Sequence, residues 1–134
     1  MTNLEDRSKE LLLLASAGQY LKELRLKKEL SLAQLSKEVG VGAPYLSELE
    51  RGLKSPSDHL IHQLADFYDL EEDVLFAKFG KIPIAARVVL GNEPMLLKTL
   101  VGIGKHKKIP EDKKQELYDY LHDLYKLLDD EKNS

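Results

Sequence analysis

One turn constrains this chain more than any other feature: the glycine-flanked connection Gly40-Val41-Gly42, set between two short apolar-periodic segments. Before it, Ser31 precedes Leu32, Leu35 and Val39, with Gln34 three residues further on. A serine hydroxyl can accept from the third backbone N–H of a helix, and a glutamine there can reach back to the serine's own N–H. The pair marks a helix start. Gly40 suits the left-handed position that closes such a helix. After the turn, Tyr45, Leu46 and Leu49 are the apolar positions of a second helix, from about Ala43 to Arg51, which Gly52 ends.

The other segments read as helices too. Asn3 to Ala17 carries Leu4, Leu11, Leu12 and Leu14 and is expected to break or bend at Gly18. Gln19 to Glu29 follows, with Leu21, Leu24 and Leu26 among charges. Ser55 is expected to cap a further helix, with Pro56 at its first position and Asp58 completing a second box. Leu60, Ile61, Leu64, Ala65 and Phe67 or Tyr68 give that helix a core face. A short helix from about Glu71 carries Val74, Leu75 and Phe76, and Gly80 with Pro83 marks a domain edge.

Beyond that edge, Ile84 to Leu90 and Met95 to Ile103 read as helices, parted by Gly91-Asn92-Glu93-Pro94. Gly104 to Lys108 reads as a loop, and Pro110 opens a last helix with Glu111 and Asp112 in its first turn. There Leu117, Leu121, Leu124 and Leu128 recur at spacings of four, three and four, beside Tyr118 and Tyr125. No strand alternation, repeat or low-complexity tract is visible. The expected fold is all-α, with a helical extension over residues 1–18, a helix-turn-helix domain over 19–83 and a C-terminal helical region over 84–134.

Composition narrows the function classes. With 43% hydrophobic residues the chain can bury a core, and with 32% charged residues it is expected to be soluble. The absence of cysteine excludes disulfides and thiolate metal sites and fits a reducing cytoplasm. No apolar run approaches the ~18 residues of a membrane span. Leu11 to Leu14 is flanked by Asp6, Arg7, Lys9 and Glu10 and lacks the basic start and cleavage site of a signal peptide. The net charge of −3 runs against the usual basic footprint of a nucleic-acid binder. Between Gln19 and Pro83, nine lysines and arginines face eleven acidic residues. Their distribution offsets this, because Lys22, Arg25, Lys27, Lys28, Lys37, Arg51 and Lys54 precede the acidic cluster Asp66, Asp69, Glu71, Glu72 and Asp73.

Arg25, Ser31, Leu35, Gly40-Val41, Tyr45-Leu46-Ser47, Leu49-Glu50-Arg51-Gly52, Pro56 and Leu64-Ala65 together resemble the phage-repressor (Cro and C1 type, or XRE) helix-turn-helix family. The resemblance covers about half the chain. It implies a five-helix, lambda-repressor-like domain and a transcription regulator that binds double-stranded DNA as a dimer. It also implies that the third helix of the domain enters the major groove while flanking groups hold phosphates. Gly42, Ala43, Pro44, Ser47 and Glu48 then face bases, and Tyr45, Lys28, Arg51 and Lys54 are candidates for phosphate. Arg25 and Glu50 match positions that pair between helices.

The sequence departs from the family at the reading positions. Ala43 and Pro44 stand where members often carry glutamine, arginine, serine or threonine, and Leu32 where a glutamine is common. Alanine can meet a thymine methyl and Glu48 can accept from cytosine N4, but bidentate purine readout is missing. Specificity is expected to lean on DNA shape.

No cofactor, metal or catalytic role is expected. His59 and His62 lie three apart near Asp58 and Asp66, without a further ligand cluster, and His106 and His122 have no evident partner. Gly102, Gly104 and Lys105 lack the spacing of a phosphate loop. Lys105, His106, Lys107 and Lys108 read as a solvated loop, the alternatives being an accessory phosphate contact or a signal-ligand site. The leucine seam of the last helix points to a homodimer through the C-terminal helices, with Leu11 to Leu14 a further candidate for that interface. A repressor is favoured because repression needs only occlusion. The alternative is a protein-interaction module, antitoxin-like or an anti-regulator, with weak or lost DNA binding.

Overall fold

The computed structural model describes residues 3–133 and is helical throughout, without strands among them. Its helices are α1 (Asn3–Lys27), α2 (Leu32–Val39), α3 (Ala43–Glu50), α4 (Asp58–Phe67), α5 (Glu72–Lys78), α6 (Ile84–Asn92), α7 (Pro94–Lys105) and α8 (Glu111–Asn133). None is long and apolar enough to cross a membrane. The chain divides into two compact units, one ending at Arg87 and one beginning at Val88.

The first unit closes on one core. α1 contributes Leu14, Ala17 and Leu21, α2 Leu35 and Val39, α3 Leu46 and Leu49. α4 and its C-cap add Leu60, Ile61, Leu64, Ala65 and Tyr68, and α5 and its C-cap add Leu75, Phe76 and Phe79. The sequence spacing marks most of these but not Ala17 or Phe79, and Leu4, Leu11, Leu12, Leu26 and Val74, which it also marks, are exposed.

In the first unit, two local expectations are corrected. The first is the break at Gly18, because α1 runs unbroken from Asn3 to Lys27. Gly18 is there for close approach: a Cβ would lie 2.5 Å from the Glu50 carbonyl oxygen and 2.6 Å from that of Leu49. Gly52, at φ +77, completes the same junction, where a Cβ would come within 2.7 Å of Ala15 Cα. The ~1 kcal/mol that a mid-helix glycine costs is offset by seating α1 on the C-terminal end of α3.

The second correction concerns the start of α4. Its cap is Ser57 rather than Ser55, with the Ser57 hydroxyl accepting from Leu60 N at 3.1 Å. Pro56 lies outside the helix and is fully buried. Asp58 makes no capping box and turns to cations elsewhere.

In the second unit, α7 runs on through Gly104 and Lys105, so the basic loop begins only at His106. Pro110 stands just before α8, its carbonyl accepting from Lys113 N and Lys114 N at 3.0 and 3.1 Å. Lys114 crosses back to the end of α7, donating to the Gly104 carbonyl at 2.9 Å and to Glu111 Oε1 at 3.2 Å.

Candidate nucleic-acid interface

The site grows from α2, the turn and α3. Ser31 and Gln34 form the reciprocal box, Gln34 N donating to Ser31 Oγ at 3.1 Å and Ser31 N to Gln34 Oε1 at 2.8 Å. α2 ends on Gly40 in the left-handed conformation, φ 71 and ψ 24. Ser36 then ties the turn down, its hydroxyl donating to the Val41 carbonyl. Gly42 is the N-cap of α3 and supplies no side-chain cap, while Pro44 in the first turn carries no N–H. No N-cap side chain therefore covers the first N–H groups of α3, which lie at the positive end of the helix dipole, an arrangement suited to phosphate.

Leu46 and Leu49 bury one side of α3 and leave the other accessible. Pro44 and Gly42 are exposed; Ala43, Tyr45, Ser47 and Glu48 are half-buried. Arg51 caps the helix, and its Nε donates to the Ser47 carbonyl at 3.3 Å. Lys54, in the following loop, brings Nζ to 3.9 Å from Glu48 Oε2. That contact places a cation beside the carboxylate on the accessible side of α3. Tyr45 reaches across to the same loop, its hydroxyl 3.5 Å from the Ser55 carbonyl.

Behind α3 stands a buried ion pair. Arg25 Nε donates to Glu50 Oε2 at 2.8 Å and Nη2 to Oε1 at 2.9 Å, while Nη1 donates to the Leu30 carbonyl at 2.7 Å. Both residues are 8% exposed. The Glu50 hydrogen bonds raise the Arg25 pKa above its ordinary value, against the opposing effect of burial. A bidentate guanidinium–carboxylate fork is directional, so it fixes the C-terminal end of α3 against α1 in rotation as well as distance. Tyr68 lies beside this pair. Burial, reinforced by the Glu50 charge and opposed by Arg25, pushes its pKa up to about 12.

Eight of the nine sequence candidates thus come together: Gly42, Ala43, Pro44, Tyr45, Ser47, Glu48, Arg51 and Lys54 belong to α3 and the loop after it. Lys28 does not join them. Its ammonium lies 5.6 Å from the ring centroid of Phe67, the last residue of α4, whereas Tyr45 touches the loop that leads into the first turn of α4. Those helix ends lie ~15 Å apart by the α-helical rise. His62 Nδ1 lies 3.3 Å from Glu72 Oε1, and no metal-binding group of three side chains gathers among the described residues. Sequence spacing missed the cluster of Asp58 with Lys81 and Arg87, because its members stand far apart in the chain.

The family described as Helix-turn-helix matches residues 21–75. The HTH-type transcriptional regulator DdrOP3 of Deinococcus deserti is 35% identical over 124 residues, covering 81% of this chain and 95% of that protein. An uncharacterized HTH-type transcriptional regulator of Mycobacterium tuberculosis is 35% identical over 63 residues, 47% of this chain. The chain spans only 45% of the length of that relative. Among solved structures, a SinR protein/SinI protein complex is similar at a TM-score of 0.42, with 23% identity over 78% of this chain and 93% of that one. This chain belongs to the XRE-type helix-turn-helix family of transcriptional regulators.

Proposed function

We propose that this chain is a sequence-specific, double-stranded-DNA-binding repressor that acts in the cytoplasm as a homodimer, with α3 in the major groove and no cofactor. The observation that carries it is the two-sided build of α3. The Arg25–Glu50 fork and Leu46 with Leu49 fix one side, and Ser47, Glu48, Arg51 and Lys54 are presented on the other. A helix held this way delivers side chains to base edges without losing conformational entropy on binding. Gly42, Ala43, Pro44, Ser47 and Glu48 face bases; Tyr45, Arg51 and Lys54 hold phosphates.

Dimerisation runs through the C-terminal helices, whose leucines and tyrosines remain exposed. The same exposed surface favours a second reading, a protein-interaction module whose partner is another protein.

Selection of binding sites from random duplex DNA, followed by mobility shift across a salt series, separates the two. Enrichment of a palindrome with half-sites about one helical turn apart supports the dimeric regulator. Replacing Arg51 or Lys54 by alanine should then weaken binding to all sequences and reduce the salt slope by about one each. No enrichment, with binding indifferent to salt, rejects the regulator in favour of the protein partner.

A further inference from the structure

The residues that open α3 carry no polar side-chain atom. Gly42 is the N-cap, and Ala43 and Pro44 form the start of the first turn. Gly42 and Pro44 are exposed and Ala43 is half-buried. Their side chains offer carbon only, the Ala43 methyl and the Pro44 ring. The turn that leads into them is tied down by the hydrogen bond from the Ser36 hydroxyl to the Val41 carbonyl.

Neighbouring polar side chains are engaged elsewhere. Leu32, at the start of α2, packs partly buried against the core and has no polar atom to offer. The Gln34 amide closes its own capping box. The Tyr45 hydroxyl turns to the Ser55 carbonyl, and Glu48 has the Lys54 ammonium 3.9 Å away. Arg51, the C-cap, stands ~12 Å along the axis from Ala43 by the α-helical rise. Its Nε is held on the Ser47 carbonyl.

An apolar tip discriminates by what it cannot satisfy. Pressed against a purine edge or the cytosine amino group, it strips water from donors and acceptors and returns no hydrogen bond. The C5 methyl of thymine is the one apolar group that the bases show in the major groove. Alanine and proline have no side-chain rotamers to freeze, so the contact costs no side-chain entropy. We propose that Ala43 and Pro44 read thymine C5 methyls, so that this chain takes half-sites with thymine at the N-terminal end of α3. The proposal rests on the reading of α3 as the major-groove helix. It concerns one half-site at a time, whatever joins two.

The test uses the full chain and the duplex recovered by selection from random DNA. Each thymine is replaced in turn by deoxyuridine, which deletes the methyl and keeps the base pairing. Losing one buried methyl should weaken binding about fourfold at the thymines that meet the tip, and nowhere else. Ala43→Ser and Pro44→Ser then identify the reader. Serine is accepted near helix starts, and each variant should erase the deoxyuridine penalty at its own thymine. Deoxyuridine alters the DNA alone, so the wild-type scan decides even where a serine variant fails to fold. A recovered duplex that binds equally well with deoxyuridine at every thymine overturns methyl readout and leaves specificity to DNA shape. A penalty that persists in both folded serine variants overturns the assignment to Ala43 and Pro44. If selection recovers no preferred sequence, the reading of α3 itself fails and takes this proposal with it.

Discussion

The two compact units are built from similarly apolar sequence and bury very different amounts of it. The first gathers fifteen buried apolar residues from α1 to α5 into one cluster. The second buries Lys114 alone among its described residues, and leaves Leu97, Val101, Leu117, Leu121, Leu124 and Leu128 exposed. Ordering the backbone costs ~1–2 kcal/mol per residue, and apolar burial is the main term that offsets it. In the first unit that offset is internal. In the second it is not, and on the reading proposed above it comes from a surface outside α7 and α8, which would tie folding there to association and make it depend on concentration. The two units thus differ in where the free energy that orders them originates.

The largest expected effect lies at the ion pair behind α3. Glu50→Ala leaves Arg25 buried without its carboxylate and should cost about 3–5 kcal/mol of unfolding free energy. Denaturant unfolding followed by circular dichroism measures it. A loss below about 1 kcal/mol would mean that water reaches the guanidinium, and that the first unit is less self-contained than its burial indicates.

A matched pair of truncations tests the contrast directly. Leu46→Ala, at a side chain 1% exposed, should cost about 2–5 kcal/mol at any protein concentration. Leu121→Ala, at a side chain 52% exposed, should change the dilute monomer by less than about 0.5 kcal/mol. Its effect should appear instead as weaker self-association in sedimentation equilibrium. Equal destabilisation by both at nanomolar protein would show that the second unit carries a core of its own.

Much of the first unit was legible because its signals are local. The Ser31–Gln34 box and the left-handed Gly40 follow from residue types a few positions apart, and the structure contains both. Arg25 with Glu50 was legible only through the family resemblance, twenty-five residues separating them. Gly18 misled because local propensity treats glycine as a breaker, whereas here it answers to the Leu49 and Glu50 carbonyls across the fold. Ser55 lost the cap to Ser57 because the core takes Pro56 as a buried side chain. Lys28 was offered as a phosphate candidate beside α3 through the family resemblance and its charge, and its seat over Phe67 depends on how α1 ends beside α4. The Asp58 cluster joins residues 23 and 29 positions apart, where no periodicity speaks. The leucine seam of α8 was legible, but a seam shows that a face needs covering and leaves open by what.

The smallest effect sharpens the picture of the first unit's interior. The Tyr68 hydroxyl is buried without a hydrogen-bond partner among the described residues, next to the Arg25–Glu50 pair. Tyr68→Phe removes a polar atom that gains nothing from burial and should stabilise the protein by roughly 1 kcal/mol. The pH dependence gives an independent check. In the unfolded chain the phenol ionises near 10, whereas in the fold burial pushes its pKa up to about 12. Between those values the folded state holds a proton that the unfolded state has released, so stability falls as pH rises from about 10 to about 12 and is fully present below that window. Tyr68→Phe should flatten this alkaline limb by up to one proton's slope. An identical limb in both proteins, with no gain at neutral pH, would mean that the hydroxyl is solvated and that the brace behind α3 is open to water.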